Sequence, residues 1–191
     1  MTDITRFDPF NNRLCRNVRN ALSEGFKEAL EAKDMQPVQR MAGFFLDDST
    51  PSVVRAYIEK RLTAYAQVLA GIDDPCLEAP LEVAFRIWDQ GLFFETHEYL
   101  EPFWMAAAGE EKNVLQAIIR SAGAYVHLEQ GNLTGARRIA DKALAVLERL
   151  QDRLAPYADP QLLLNKLTNL DPVPPTLSGT ALQKNRKTNG R

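Results

Sequence analysis

Apolar residues along this chain recur at intervals of three and four, and no stretch alternates in the way of a half-buried strand. Phe10, Leu14, Val18, Leu22, Phe26 and Leu30 repeat every fourth residue and form one apolar stripe. Asp8-Pro9 stands at its start, an acceptor side chain followed by a proline at a position where a missing N–H costs nothing. A shorter helix is predicted over 37–46. Thr50-Pro51 opens the next, with Val54, Tyr57, Ile58, Leu62, Tyr65 and Leu69 on its inner side, and Gly71-Ile-Asp-Asp-Pro75 breaks it. Further helices are predicted at about 79–90, 93–107, 111–130, 133–155 and 160–169. The fold class is all-α, a bundle of antiparallel helical hairpins.

Two glycines punctuate the later helices forty residues apart, Gly91 and Gly131. Aligning the stretches on them pairs Ala84 with Ala124, Thr96 with Ala136 and Phe103 with Ala143. Small residues at such positions let helices approach closely, and the glycine supplies a left-handed turn. The spacing is similar to tetratricopeptide hairpins, although a unit of about 40 residues is longer than that repeat. The organisation read from these patterns is an N-terminal helical segment (1–75) packing on the core and a helical domain (79–155). A short C-terminal helix (156–171) and a disordered basic tail (172–191) complete it.

Composition adjusts this picture in two places. Of 191 residues 45% are hydrophobic, too many for a disordered chain, and two cysteines are too few for a disulfide scaffold. Cys15 and Cys76 stand without a Cys-x-x-Cys partner, which points to a reduced, cytoplasmic setting. No apolar run approaches the roughly 18–20 residues that span a bilayer, and Met1-Thr-Asp-Ile-Thr-Arg lacks the layout of a secretion signal. The net charge of −2 hides an asymmetry: residues 172–191 hold four basic residues and no acidic one, leaving 19 basic and 25 acidic residues in the body. That balance gives no reason to expect nucleic acid or a membrane as partner. A protein partner or a homo-oligomer, through helical faces, stays open.

The chemistry is concentrated. Seven of the 16 aromatic residues, both tryptophans among them, fall within 85–104, around Glu95-Thr-His97-Glu98-Tyr-Leu-Glu101. Polar groups among large aromatics are partly desolvated and need partners. His97 and Glu101, four apart, project from one helical face, and the only other histidine, His127, lies on a helix expected to run antiparallel to theirs. His97, Glu101 and His127 are therefore candidate ligands of a divalent metal (zinc, manganese or iron), with a position open for water and Glu98 as general base. The same residues also suit a metal-free network: Glu95 as a helix N-terminal cap, and His97 bonded to Glu101 and Trp104. Asn132, directly after Gly131, suits the cap of the following helix. Pro102 falls inside a predicted helix and removes the N–H that would reach the Glu98 carbonyl.

Gly91-Leu-Phe-Phe-Glu95-Thr-His97-Glu98-Tyr-Leu-Glu101-Pro-Phe-Trp104, then Leu115-Gln116-Ala-Ile-Ile, Ala124-x2-His127 and Gly131-Asn132-x2-Gly135-Ala136, resembles the domain of unknown function 309 family over about residues 80–150. The resemblance implies an all-helical protein of prokaryotic type without an established activity, a family sometimes labelled a predicted metal-dependent hydrolase. It marks Glu95, His97, Glu98, Glu101, Trp104, Gln116, His127 and Asn132 as the signature set. Two positions depart from the pattern: Pro102, and Arg120 where a glutamine is usual. A guanidinium there is expected in the site network, paired with a glutamate in competition with a cation. Three functional readings follow: a metal-dependent hydrolase, a non-catalytic helical-hairpin interaction module, and a metal-free small-molecule pocket.

Overall fold

The structure, a computed structural model, describes residues 5–72 and 79–182. Cys76, the end of the expected break at 71–75, and residues 183–191 lie outside the described residues. Nine helices and no strand occur among the described residues: α1 (Arg13–Ala32), α2 (Gln36–Gly43), α3 (Ser52–Ala70), α4 (Pro80–Asp89), α5 (Phe93–Ala106), α6 (Gly109–Glu129), α7 (Leu133–Leu147), α8 (Gln151–Leu154) and α9 (Pro160–Asn169). The fold is all-α, as the periodicity predicts. None of these helices is long and apolar enough to cross a membrane.

Local signals account for most of the boundaries, and two differ. The helix expected from Asp8-Pro9 starts at Arg13, because Asp8 caps a separate turn through the N–H groups of Phe10 and Asn11. Asn12 caps the helix itself, its side-chain oxygen accepting from Cys15 N at 3.0 Å. The helix expected over 133–155 stops at Leu147 and resumes at Gln151, whose side-chain amide donates to the Glu148 carbonyl. Gly91 and Gly131 take positive φ (68° and 71°), as the hairpin reading requires. Of the aligned positions, Ala84, Ala124, Thr96, Ala136 and Ala143 are fully buried, whereas Phe103 is exposed.

Two hydrophobic cores share one wall. Cys15, Val18, Leu22, Phe26, Ile58 and Tyr65, from α1 and α3, pack with Val83 and Ile87 of α4 and with Leu92. The opposite side of α4 contributes Leu81, Phe85 and Trp88 to a second core, filled mainly by α5, α6, α7 and α9. The helix α4 is thus apolar almost all round because it is covered on both faces.

Residues 172–182, expected as part of a loose tail, lie against this second core instead. Leu177 is fully buried, and the Trp88 indole N–H donates to the Pro175 carbonyl at 2.9 Å. Asp89 accepts from the backbone N–H groups of Leu177 (2.8 Å) and Ser178 (2.9 Å) and from the Ser178 hydroxyl. Leu182 N–H donates to the Ala155 carbonyl. A buried indole N–H and a half-buried carboxylate both need partners, and this segment supplies them.

Candidate functional site

Helix α5 begins just after the Gly91 turn, so its first two turns carry most of the signature residues. At 100° per residue, His97, Glu98 and Glu101 span an arc of roughly 100° on that helix. Their ligand atoms, one imidazole nitrogen and two carboxylate oxygens, lie within 4.8 Å of one another, and all three side chains are half-buried. His97 Nδ1 is 3.2 Å from Glu98 Oε1. A neutral His97 that donates Nδ1–H to this carboxylate leaves Nε2 with a free lone pair. The same hydrogen bond holds the Glu98 carboxyl below its usual range, with the charges of Lys27 and Arg19 adding to it against partial desolvation. Arg19, from α1, lies over the Phe94 ring at 3.8 Å.

His127 stands outside this group. Its Nδ1 is 3.0 Å from the side-chain nitrogen of Asn132, and its ring meets the edge of Phe10 with centroids 5.0 Å apart. Asn132 caps α7, its side-chain oxygen accepting from Gly135 N at 2.9 Å. The Asn132 amide nitrogen must then be the donor to His127, which fixes a neutral imidazole with the proton on Nε2. A Cβ at Gly135 would lie 2.6 Å from His127 Nδ1, so the glycine is what admits the ring. Burial, with a smaller contribution from Arg138, pushes the His127 pKa below 6.5. The donor triad in the structure is therefore His97, Glu98 and Glu101, not His97, Glu101 and His127. Glu98, expected as general base, has its carboxylate within the same group of atoms that could hold an ion.

The other expected network members are dispersed. Trp104 has its Nε1 buried without a hydrogen-bond partner among the described residues, with Lys112 Nζ 5.2 Å from its ring. Gln116 is half-buried on α6. Arg120 points to the Lys142 carbonyl on α7 at 3.5 Å and forms no ion pair with a glutamate among the described residues. Pro102 occupies an exposed position within α5, and the helix continues through it to Ala106.

Glu95 lies in the first turn of α5, yet its carboxylate does not cap that helix. It is almost fully buried and turned toward α3, where the Tyr65 hydroxyl donates to Oε1 at 2.6 Å. Arg61 Nη1 is 3.7 Å from Glu95 Oε2 and donates to the Gly91 carbonyl at 3.1 Å. Glu95 Oε2 and Arg61 Nε have no hydrogen-bond partner among the described residues. Burial, reinforced by the Glu95 charge, pushes the Tyr65 hydroxyl well above its usual range, so it stays a donor. Arg61 and Tyr65 were not among the sequence-derived candidates. A signal existed: Arg61 interrupts the buried stripe Val54, Ile58, Tyr65 and Val68 at a position where an apolar residue is expected.

The segment that holds the triad also carries the decisive similarity. Residues 81–139 match the model of the family described as Domain of unknown function (DUF309). Over this stretch the chain is similar to DUF309. The matched residues run from α4 through α5 and α6 into α7, so His97, Glu98 and Glu101 lie inside the matched segment while Arg61 and Tyr65 lie outside it. No curated protein and no solved structure is significantly similar to the chain.

Proposed function

We propose that the segment similar to DUF309 binds one divalent cation through His97, Glu98 and Glu101, and uses it to activate water in a hydrolytic reaction. The observation that supports this reading is the convergence of the three ligand atoms within 4.8 Å on one face of α5. An imidazole with two carboxylates is a donor set that suits zinc, manganese or iron(II). Glu98 is held ionised, and its Oε1 lies 3.2 Å from His97 Nδ1, a spacing at which that nitrogen and that oxygen could hold one ion together with the imidazole proton on Nε2. Three donors from one helix occupy one side of an ion, and half-buried side chains leave the other side to solvent. A divalent ion in such a position supplies Lewis acidity and lets water ionise near neutrality.

The test is the metal content of protein purified without an affinity tag and reconstituted with zinc or manganese. Stoichiometric metal is expected in the parent chain and in His127→Ala, and is expected to be lost in His97→Ala and Glu101→Ala that remain helical by circular dichroism. Hydrolysis of a panel of p-nitrophenyl esters and phosphates is expected to stop with chelator and to return with metal. A parent chain that retains no metal, or His97→Ala and Glu101→Ala variants that retain all of it, would refute the site. Bound metal without metal-dependent turnover on any panel member would remove the hydrolytic part.

A further inference from the structure

A cavity of about 730 Å³ that shares no residue with the α5 triad opens between the start of α4, the end of α5, the start of α6 and the residues around α8. Small-molecule sites typically fall between about 300 and 1,000 Å³. Leu81, Phe103, Leu115 and Tyr157 give it apolar walls. The charges that line it are Glu110, Glu111, Asp152 and Arg153. Arg153 is already engaged, with Nη2 2.6 Å and Nε 2.7 Å from Glu110 Oε2. Glu111 and Asp152 are exposed and have no ion pair among the described residues, so the lining carries two uncompensated negative charges. Apolar walls favour an apolar body, and the uncompensated carboxylates favour a cation and repel an anion of the same shape.

We propose that this cavity binds a small organic cation, an ammonium or guanidinium compound with an apolar body. The body lies against Phe103, Leu115 and Tyr157, and the charge faces Glu111 and Asp152. The site is independent of the metal reading, since it shares no residue with the α5 triad. One competing occupant is encoded in the chain itself. Leu182 lines an adjoining cavity that shares Glu110, Asp152, Arg153 and Pro156 with this one, and the basic residues Lys184, Arg186, Lys187 and Arg191 follow it in sequence.

The experiment titrates 2-phenylethylamine into the full chain and follows backbone amide shifts by NMR, with phenylacetate as the probe of the same body and opposite charge. Saturable shifts are expected at Leu81, Leu115 and Tyr157, with the amine at least about tenfold tighter than the acid. Glu111→Gln with Asp152→Asn is expected to weaken the amine about tenfold while leaving the other amides in place. Equal affinity for amine and acid, or no saturable shift at these residues, overturns the proposal. Amine binding that appears only in a chain ended after Leu182 also overturns it, and identifies the chain's own basic end as the occupant.

Discussion

The pairing of Arg61 with Glu95 across the two cores can be measured directly. With side chains only 9% and 1% exposed, the guanidinium and the carboxylate are both withdrawn from water at a separation of 3.7 Å. At that separation and an effective dielectric near 20, their attraction is about 4 kcal/mol. Arg61→Met removes the cation and leaves a buried carboxylate supported by the Tyr65 hydroxyl alone, with an expected loss of about 3–5 kcal/mol. Glu95→Gln leaves Arg61 with the Gly91 carbonyl, the Tyr57 ring and the more distant Glu129 charge, so it is expected to cost about 3 kcal/mol, the low end of that range. The double variant strands neither, so its loss is expected to be close to that of one single variant, a coupling of about 3 kcal/mol. Urea denaturation followed by circular dichroism reads this out. With a slope of about 2 kcal/mol per molar, each single variant shifts the midpoint down by about 2 M at unchanged slope. Single losses below about 1 kcal/mol, or losses that add to within about 0.5 kcal/mol, would refute the reasoning and place the pair with ordinary surface ion pairs.

Other expectations follow from the contacts around the site. His127 has a folded pKa below its unfolded 6.5, so the native state binds fewer protons than the unfolded state as pH falls through 6.5. Acidification from pH 7 to 5.5 should therefore cost the parent chain more stability than His127→Gln, and identical pH slopes in urea titrations would contradict the lowered His127 pKa. Asp89→Ala withdraws the acceptor of the Leu177 and Ser178 amides, which should exchange with deuterium much faster while the amides of α9 keep their protection. Leu177→Ala, at a fully buried position, is expected to lower stability by about 2–4 kcal/mol, checked by thermal melting; an unchanged melting temperature would mean that the segment is not packed in solution.

The helices were legible because periodicity is local: the stripe from Phe10 to Leu30 and the glycines at 91 and 131 require only neighbours within a few residues. The donor triad was nearly legible for the same reason, its members lying within five residues of one helix. His127 was drawn toward it on the ground that neighbouring hairpin helices are antiparallel. Adjacency does not set rotation, and the ring turns instead to Asn132 and to the space left at Gly135. Arg61 and Tyr65 were missed because their partner lies thirty residues on, and a stripe scan passes over a cation within it. The docking of 172–182 was invisible to composition, since three prolines and few apolar residues suggest nothing to bury. What seats that segment is the need of Trp88 and Asp89 for partners, a need expressed nearly ninety residues away.

The wall that α4 provides to both cores has a consequence for where a protein like this can be divided. The segment recognised as DUF309 starts at residue 81, inside a helix whose Val83 and Ile87 are covered mainly by residues that precede it. Excised there, the unit would present a sticky apolar flank to water, and the helix bearing the candidate ligands would lose its anchor through Glu95. The segment that similarity recognises is thus smaller than the packed body it belongs to. The first three helices cover its apolar flank, and a substitution in α3 can register at His97, Glu98 and Glu101 without touching them.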